Sequence, residues 1–492
     1  MTDAILSSLE VTELERSAFA DGIEPETLMD QAAEGIANAI LEREPRPGIC
    51  LAYLGKGNNA GDAIVAGSLL ARAGWEVWIR QLVPESDLQP LPKKKLQRLN
   101  ARPVDAPVVE LPKNRPKVIL DGLLGLGSRA ALSAPLRALT REMNALRVRS
   151  NADIYAVDLP TGVGEDSVDP DAVVADFTVT ISFPKSALFH DEATNLVGRI
   201  LVVELPELTA RASIDSGRAV FTSPVNLHNF VPRRPFDSNK GDFGRIGIVA
   251  GSCGFVGAAV LCSVASARAG GGLITLYVPE AIYNLVVSTV ASEVMVKPVR
   301  ELRSVLEDRL DAIGIGPGLG AAASEAILDV VSRFSGPMVV DADALNALSG
   351  SIDTLHHCAG PRLLTPHPGE MRRLWPTNGK RRIEIVREFT AEFPCALLLK
   401  GARTLVGKSG SPMAFNSTGS PGLETGGSGD VLTGVCAALL ARGVPDYDAG
   451  RLGAWLCGRA AELAAIHSSE ESMLPSDLYS FFGSAFREAR NG

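Results

Sequence analysis

Gly426-Gly427-Ser428-Gly429-Asp430, in a chain of 492 residues, sets three glycines and a carboxylate at the start of a helical pattern running from Asp430 to Arg442. Glycine lets backbone approach an anion closely, and the unpaired amides of a helix start favour a phosphate. A carboxylate there caps the helix in an ordinary protein; beside a bound phosphate it can also take a proton from an attacking hydroxyl.

Other polar clusters of the C-terminal half follow apolar runs. Gly251-Ser-Cys-Gly-Phe-Val-Gly-Ala258 comes after a strand pattern and before a helical one, a place where glycine serves turn geometry as readily as a ligand. Gly314-Ile-Gly-Pro-Gly-Leu-Gly320 has residues small enough for a flat ring to lie against the backbone. Asp341-Ala-Asp343 would either line a crevice or cap the next helix, Ala344 to Leu348. In Thr365-Pro-His-Pro-Gly-Glu370, two prolines fix His367, and Lys400-Gly-Ala-Arg-Thr404 ends an apolar strand with an ammonium and a hydroxyl suited to phosphate or ribose.

The N-terminal half has its own set. Gly55-Lys-Gly-Asn-Asn-Ala-Gly-Asp62 joins a strand to a helix, gathering amides and asparagine side chains at its start. Asp121-Gly-Leu-Leu-Gly-Leu-Gly127 and Val157-Asp-Leu-Pro-Thr-Gly162 each end a strand, bringing Asp121, Asp158 and Thr161 to one sheet edge, where oxygen-rich loops suit a cation.

Positioning these loops takes alternating strands and helices. Strands are expected at Ile49–Leu54, Glu76–Leu82, Val118–Leu120, Ile154–Val157, Phe177–Ile181 and Ile200–Val203, with helices from Asp62 to Ala73 and around Leu136–Ala145. Thr209 to Asp237 carries three prolines and little periodicity. A second series then places strands at Ile246–Ala250, Leu273–Val278, Ala312–Ile315, Met338–Val340 and Ala396–Leu399, and helices at Ala258–Ala269 and Ser324–Arg333. The expectation is two three-layer α/β domains, residues 1–208 and 238–492, with 209–237 as connection and lead-in.

Composition fits that picture. Hydrophobic residues make up 46% and charged residues 21%, with 48 glycines for tight turns and close approaches. A net charge of −9 without a basic patch argues against nucleic acid as a partner; the run Lys93-Lys94-Lys95 reads as a solvated loop. Seven cysteines have no metal-ligand spacing and an odd count, so reduced, buried thiols are expected. No export signal or membrane-spanning stretch is visible.

In order, Lys240-Gly241, Gly316-Pro-Gly-Leu-Gly320, Asp341-Ala-Asp343, Thr365–Glu370, Leu398-Leu-Lys-Gly401 and Thr425-Gly-Gly-Ser-Gly-Asp-Val-Leu-Thr-Gly434 resemble the carbohydrate-kinase-like domain of NAD(P)H-hydrate dehydratase, a relative of ribokinase. The resemblance implies a ribokinase-like C-terminal domain that binds a nucleotide, with Mg2+, through Lys400, Gly401, Ala402, Arg403, Thr404 and Gly429. A hydrated nicotinamide would lie near Ala258, Gly318, His367 and Asp430, with Asp430 the base. The loops of the first half are similar to those of NAD(P)H-hydrate epimerase, a Rossmann-like domain, as are Leu28–Ala33 and Ala175–Lys185. That similarity implies substrate contacts by Asn58, Asn59, Ala60, Gly61, Asp62, Gly125, Leu126, Gly127, Ser128, Arg129, Ala130 and Asp158. It also implies K+ held by Asn59, Asp121 and Thr161, and proton transfer by Asp158.

Ala60 and Ala63 stand where that family has glycine, and Thr161 where it has serine. A methyl at position 60 clashes if the backbone there needs positive φ. The combined resemblance implies repair of NADHX and NADPHX, the hydrates of NADH and NADPH, with ADP as co-substrate, in a cytoplasmic homo-oligomer. Two alternatives stay open: a vitamin or sugar kinase of the ribokinase superfamily, and an N-terminal domain that serves only as a binding module.

Overall fold

The computed structural model describes residues 3–127, 131–212 and 218–492. The chain divides into two compact units, residues 1–215 and 216–492.

In the first unit the apolar runs become β1 (Ile49–Leu54), β2 (Glu76–Gln81), β3 (Arg102–Pro103), β4 (Lys117–Gly122), β5 (Asp153–Val157), β6 (Phe177–Ile181) and β7 (Arg199–Val203). They form a parallel sheet in the order β3-β2-β1-β4-β5-β6-β7. Successive side chains of a strand face opposite ways. Cys50, Ala52 and Leu54 accordingly pack with the helices Pro25–Arg43 and Asn58–Arg72, while Ile49, Leu51 and Tyr53 pack with Ala134–Ser150. Helices thus cover both faces, which is why β1 is apolar and buried along its whole length. Strand order reverses between β1 and β4, and the loops leaving their C-terminal ends part there to open a crevice.

Two expectations are corrected in this unit. The helix expected from Asp62 begins at Asn58, because Gly57 keeps extended backbone as the residue before it; Asn58 to Asp62 is therefore a first helical turn and not a loop. Ala60 and Ala63 take ordinary helical backbone and are fully buried, so their methyl groups bring no φ strain. The run Lys93–Lys95 is helical, within Pro90–Leu96, and Lys95 is buried, its ammonium 2.9 Å from Glu26 and 2.5 Å from Asp30. Two carboxylates on the neighbouring helix make burial of that charge tolerable.

The second unit holds β8 (Val220–Thr222), β9 (Arg245–Val249), β10 (Leu273–Pro279), β11 (Val294–Val299), β12 (Ala312–Ile315), β13 (Met338–Val340), β14 (Arg362–Leu364), β15 (Ala396–Leu399), β16 (Leu405–Gly407) and β17 (Ala414–Asn416). Their order is β11-β10-β9-β12-β13-β14-β15-β16-β17-β8, parallel except for the two pairings made by β16. The proline-rich stretch 209–237 contributes β8, which pairs with β17. Three residues are too few for alternation to show in the sequence.

One face of this sheet buries the helices Val256–Arg268, Ser428–Ala441 and Asp446–His467 in a large apolar cluster. Gly434 makes the close approach possible: a Cβ there would lie 2.0 Å from the Cys262 carbonyl oxygen. Again the strand order reverses, between β9 and β12.

All seven cysteines are free thiols; Cys50, Cys262, Cys395, Cys436 and Cys457 are buried, Cys253 is exposed and Cys358 half-buried. Among the described residues, no helix is long and apolar enough to cross a membrane.

Candidate active sites

In the second unit, β9, β12, β13, β14 and β15 are parallel and end at one edge of the sheet, where their loops carry the polar residues. Gly427, at φ +103°, turns the chain into the helix Ser428–Ala441. The first amides of a helix lack intrahelical acceptors. Directly beside them, a Cβ on Gly429 would sit 3.3 Å from Lys400 Nζ and 3.6 Å from Asp341 Oδ2. Lys400, just past β15, and Asp341, just past β13, are thus brought to the helix start, with Gly429 leaving room for them.

Asp341 begins the next helix, but its side chain makes no cap bond. Its Oδ1 accepts from Lys400 Nζ at 2.8 Å and its Oδ2 from the Thr433 hydroxyl at 2.8 Å. Of the two readings of Asp341, crevice and cap, the side chain takes the crevice. Lys400 Nζ also lies 3.7 Å from Glu370. Burial pushes the Lys400 ammonium down, yet Asp341 and Glu370 outweigh it and leave the group raised. Asp430, one residue past Gly429, is pushed up to about 6, chiefly by burial and then by the Asp341 charge, with Lys400 pulling the other way. A half-buried carboxyl poised near neutrality beside a lysine and a helix start suits a general base.

His367 is a helix cap: Nδ1 accepts from the Gly369 amide at 2.9 Å, while Glu370 accepts from the His367 amide at 2.8 Å. With Nδ1 an acceptor, the neutral ring carries its proton on Nε2. Gly318, at φ +65°, touches Ala258, since a Cβ on it would come within 3.1 Å of the alanine methyl. Ala258 lies on the helix that packs against Ser428–Ala441, one turn before Cys262. Gly401 and Arg403 both have positive φ, Thr404 donates to the Gly401 carbonyl at 3.0 Å, and Arg382 ties down the Ala402 and Arg403 carbonyls. Glu370 and Thr433 are the members to which sequence reasoning gave no role; Asp341 it read as crevice or cap, without its partners Lys400 and Thr433. Thr433 lies three residues after Asp430, one helical turn away, and was legible on that ground.

In the first unit, β1, β4 and β5 deliver a second cluster. Asp121 is fully buried; its carboxylate accepts from the Thr161 amide and hydroxyl, each at 2.7 Å, and from the Leu123 amide at 3.3 Å. Burial pushes Asp121 up to about 6 against those hydrogen bonds. Asn59 donates to the Leu124 carbonyl at 3.0 Å, and the Leu124 amide donates to Thr161 Oγ1 at 3.1 Å, so Asn59, Asp121 and Thr161 converge around one loop. Gly125 fits there because a Cβ would lie 2.9 Å from Asn59 Oδ1.

Asp158 has φ +66°, left-handed backbone that aspartate tolerates at a cost. Its Oδ1 accepts from the Lys185 ammonium, from the Ile181 amide at 3.1 Å and from the Thr180 hydroxyl at 3.4 Å. Asp62 and Glu15 flank it. Burial, then the Asp158 charge, pushes the carboxyl of each upward, and Lys185 opposes. Glu15 and Lys185 were not among the expected site residues. Ser128, Arg129 and Ala130 lie outside the described residues.

Two α/β units, each gathering acids and a lysine where parallel strands end, define a two-headed enzyme. The NAD(P)H-hydrate dehydratase family matches residues 246–482, and the family described as YjeF-related protein N-terminus matches residues 25–187. The bifunctional NAD(P)H-hydrate repair enzyme of Moorella thermoacetica is 32% identical over 97% of this chain and 95% of its own. The enzyme of the same description from Escherichia coli is 33% identical over 92% and 88%. A crystal structure of ADP/ATP-dependent NAD(P)H-hydrate dehydratase from Bacillus subtilis, co-crystallized with ATP and Mg2+, covers 56% of this chain and all of its own, at 27% identity and a TM-score of 0.50. The chain belongs to the family of bifunctional NAD(P)H-hydrate repair enzymes.

Proposed function

We propose that the second unit dehydrates the S hydrate of NADH or NADPH with ADP as co-substrate, giving NAD(P)H, AMP and phosphate, and that the first unit interconverts the R and S hydrates. The observation that carries the first half is Asp430 standing beside Gly429, Lys400 and Asp341. Asp430 takes the proton of the ring hydroxyl, and the oxygen attacks the terminal phosphorus of ADP, whose bond to the AMP oxygen breaks. Phosphate then leaves with the ring carbon–oxygen bond, and loss of the neighbouring ring proton restores the double bond. Phosphorylation turns a poor leaving group into a good one.

Lys400, beside the free helix amides, meets the charge on the transferred phosphate, and Thr433 and Asp341 hold that lysine in place. Mg2+ commonly binds through one or two carboxylates together with substrate phosphates, and Asp341 and Glu370 beside Lys400 fit that donor set. Bound there, it would neutralise phosphate charge.

In the first unit, Asp158 takes the hydroxyl proton as the bond between the hydroxyl-bearing carbon and the ring nitrogen opens to an aldehyde, and passes it to that nitrogen; the reverse steps close the ring on the other face of the carbon, which rescues the epimer the dehydratase does not use. K+ fits Asn59, Asp121 and Thr161: Asp121 is a fully buried carboxylate whose hydrogen-bond donors among the described residues, Thr161 and Leu123, are neutral. Bound there, K+ would supply the missing positive charge.

Purified chain mixed with hydrated NADH and ADP should regenerate the absorbance of NADH, and both epimers should disappear. No recovery with ADP or ATP overturns the dehydratase reading; a stable phosphorylated product would instead mark a kinase of the ribokinase superfamily.

A further inference from the structure

The side chain of Lys185 is fully buried and is held from several directions. Its Nζ donates to the Ile181 carbonyl at 2.6 Å and to the Thr180 hydroxyl at 3.2 Å, as well as to Asp158 Oδ1. The backbone around it is fixed separately: the Leu6 amide donates to the Pro184 carbonyl at 3.0 Å, and the Ser186 amide to the Leu6 carbonyl at 2.8 Å. The N-terminal segment thereby straps the lysine turn.

A buried lysine so anchored is a fixed donor, with little of the rotamer freedom an exposed one would have. Every described donor to Asp158, namely Lys185, Ile181 and Thr180, reaches the same oxygen, Oδ1. Among the described residues, the charged neighbours of the pair are Glu15 from the helix Ser8–Ala20 and Asp62 from the helix Asn58–Arg72, both carboxyls, so Lys185 is the cation of that described group.

We infer that Lys185 is the positioning residue of the epimerase site: it pins Oδ1 of Asp158 and thereby presents Oδ2 as the atom that carries the proton. The inference rests on the reading of Asp158 as the proton-transfer group. Lys185 touches no reacting atom in this scheme; it acts through Asp158, whose backbone amide donates separately to the Val179 carbonyl at 2.9 Å.

The test uses the whole chain and follows R-to-S interconversion by chromatography, with dehydration of purified S hydrate measured in parallel. Lys185→Met, close in volume, should lower kcat of epimerisation by about 100-fold while KM stays within about threefold, since only the placement of the proton carrier is lost. Dehydration of the S epimer should be unchanged. Lys185→Arg keeps the buried charge, and with it the fold, but moves the donor; it should still lose about tenfold in kcat. Either variant turning over within about threefold of the parent overturns the inference, and so does a loss that lies in KM alone. Asp158→Asn separates the two ideas. If it stays active, the reading of Asp158 fails and Lys185 falls with it; if it is inactive while the lysine variants are not, only the role of Lys185 is wrong.

Discussion

Both units set an aspartate and a lysine just past the C-terminal ends of parallel strands, but they wire them differently. In the first, the lysine bonds directly to the aspartate assigned to proton transfer, Asp158, and the pair is buried. In the second, Lys400 bonds to a different aspartate, Asp341, and Asp430 is left half-buried with a carboxyl raised to about 6. The contrast follows the chemistry proposed for each. An epimerase returns the proton it takes, so a rigid carrier fixed at one oxygen suffices. Phosphoryl transfer needs a lysine for the phosphate and a separate base for the hydroxyl, so a third group must hold the lysine.

The largest effect expected from that division is at Asp430. Asp430→Ala should lower dehydration by about 10²- to 10⁴-fold in kcat while nucleotide binding, measured by calorimetry, stays near that of the parent. Equal losses in binding and turnover would mean that Asp430 holds the fold of the loop instead. Asp158→Ala comes next, with a loss of about 10²-fold in epimerisation and none in dehydration of the S epimer. If it consumed both epimers as fast as the parent, the first unit would be a binding module and the comparison would collapse.

The pH profile sharpens the second half. Because Asp430 is raised to about 6 in the free enzyme, and a base works only when deprotonated, kcat/KM for dehydration should fall about tenfold per unit below about pH 6. A profile flat down to pH 5 would remove Asp430 as base. The smallest effect concerns the cation site: saturating K+ should raise the stability of the parent chain by about 1–3 kcal/mol relative to choline, read by thermal unfolding, and Thr161→Val should remove that increment. A variant that kept the full increment would place K+ elsewhere.

Most of the fold was legible because apolar runs that stop at turn or polar residues leave little choice. Ile49–Leu54, Phe177–Ile181, Ala312–Ile315, Met338–Val340 and Ala396–Leu399 are strands with the bounds their sequence suggested. Segments that mix apolar with polar or glycine residues were not: Val220–Thr222, Leu405–Gly407 and Ala414–Asn416 exist because neighbours in the sheet pair with them. Val294–Val299 sits at a sheet edge, where Lys297 and Pro298 break the apolar pattern. The helix start at Asn58 was hidden because Asn-Asn-Ala-Gly reads equally as a loop.

For the sites, the sequence by itself marked the glycine loops, the strand-end acids and the lysine after Leu399, since these need particular residue types at particular steps along the chain. The partners came only from the tertiary structure. Nothing local links Lys400 to Asp341 and Thr433, or Lys185 to Asp158 and Glu15; parallel crossovers bring them together from distant strands and helices. A hydrogen bond acts over about 3 Å, and that proximity depends on strand order, which periodicity does not encode.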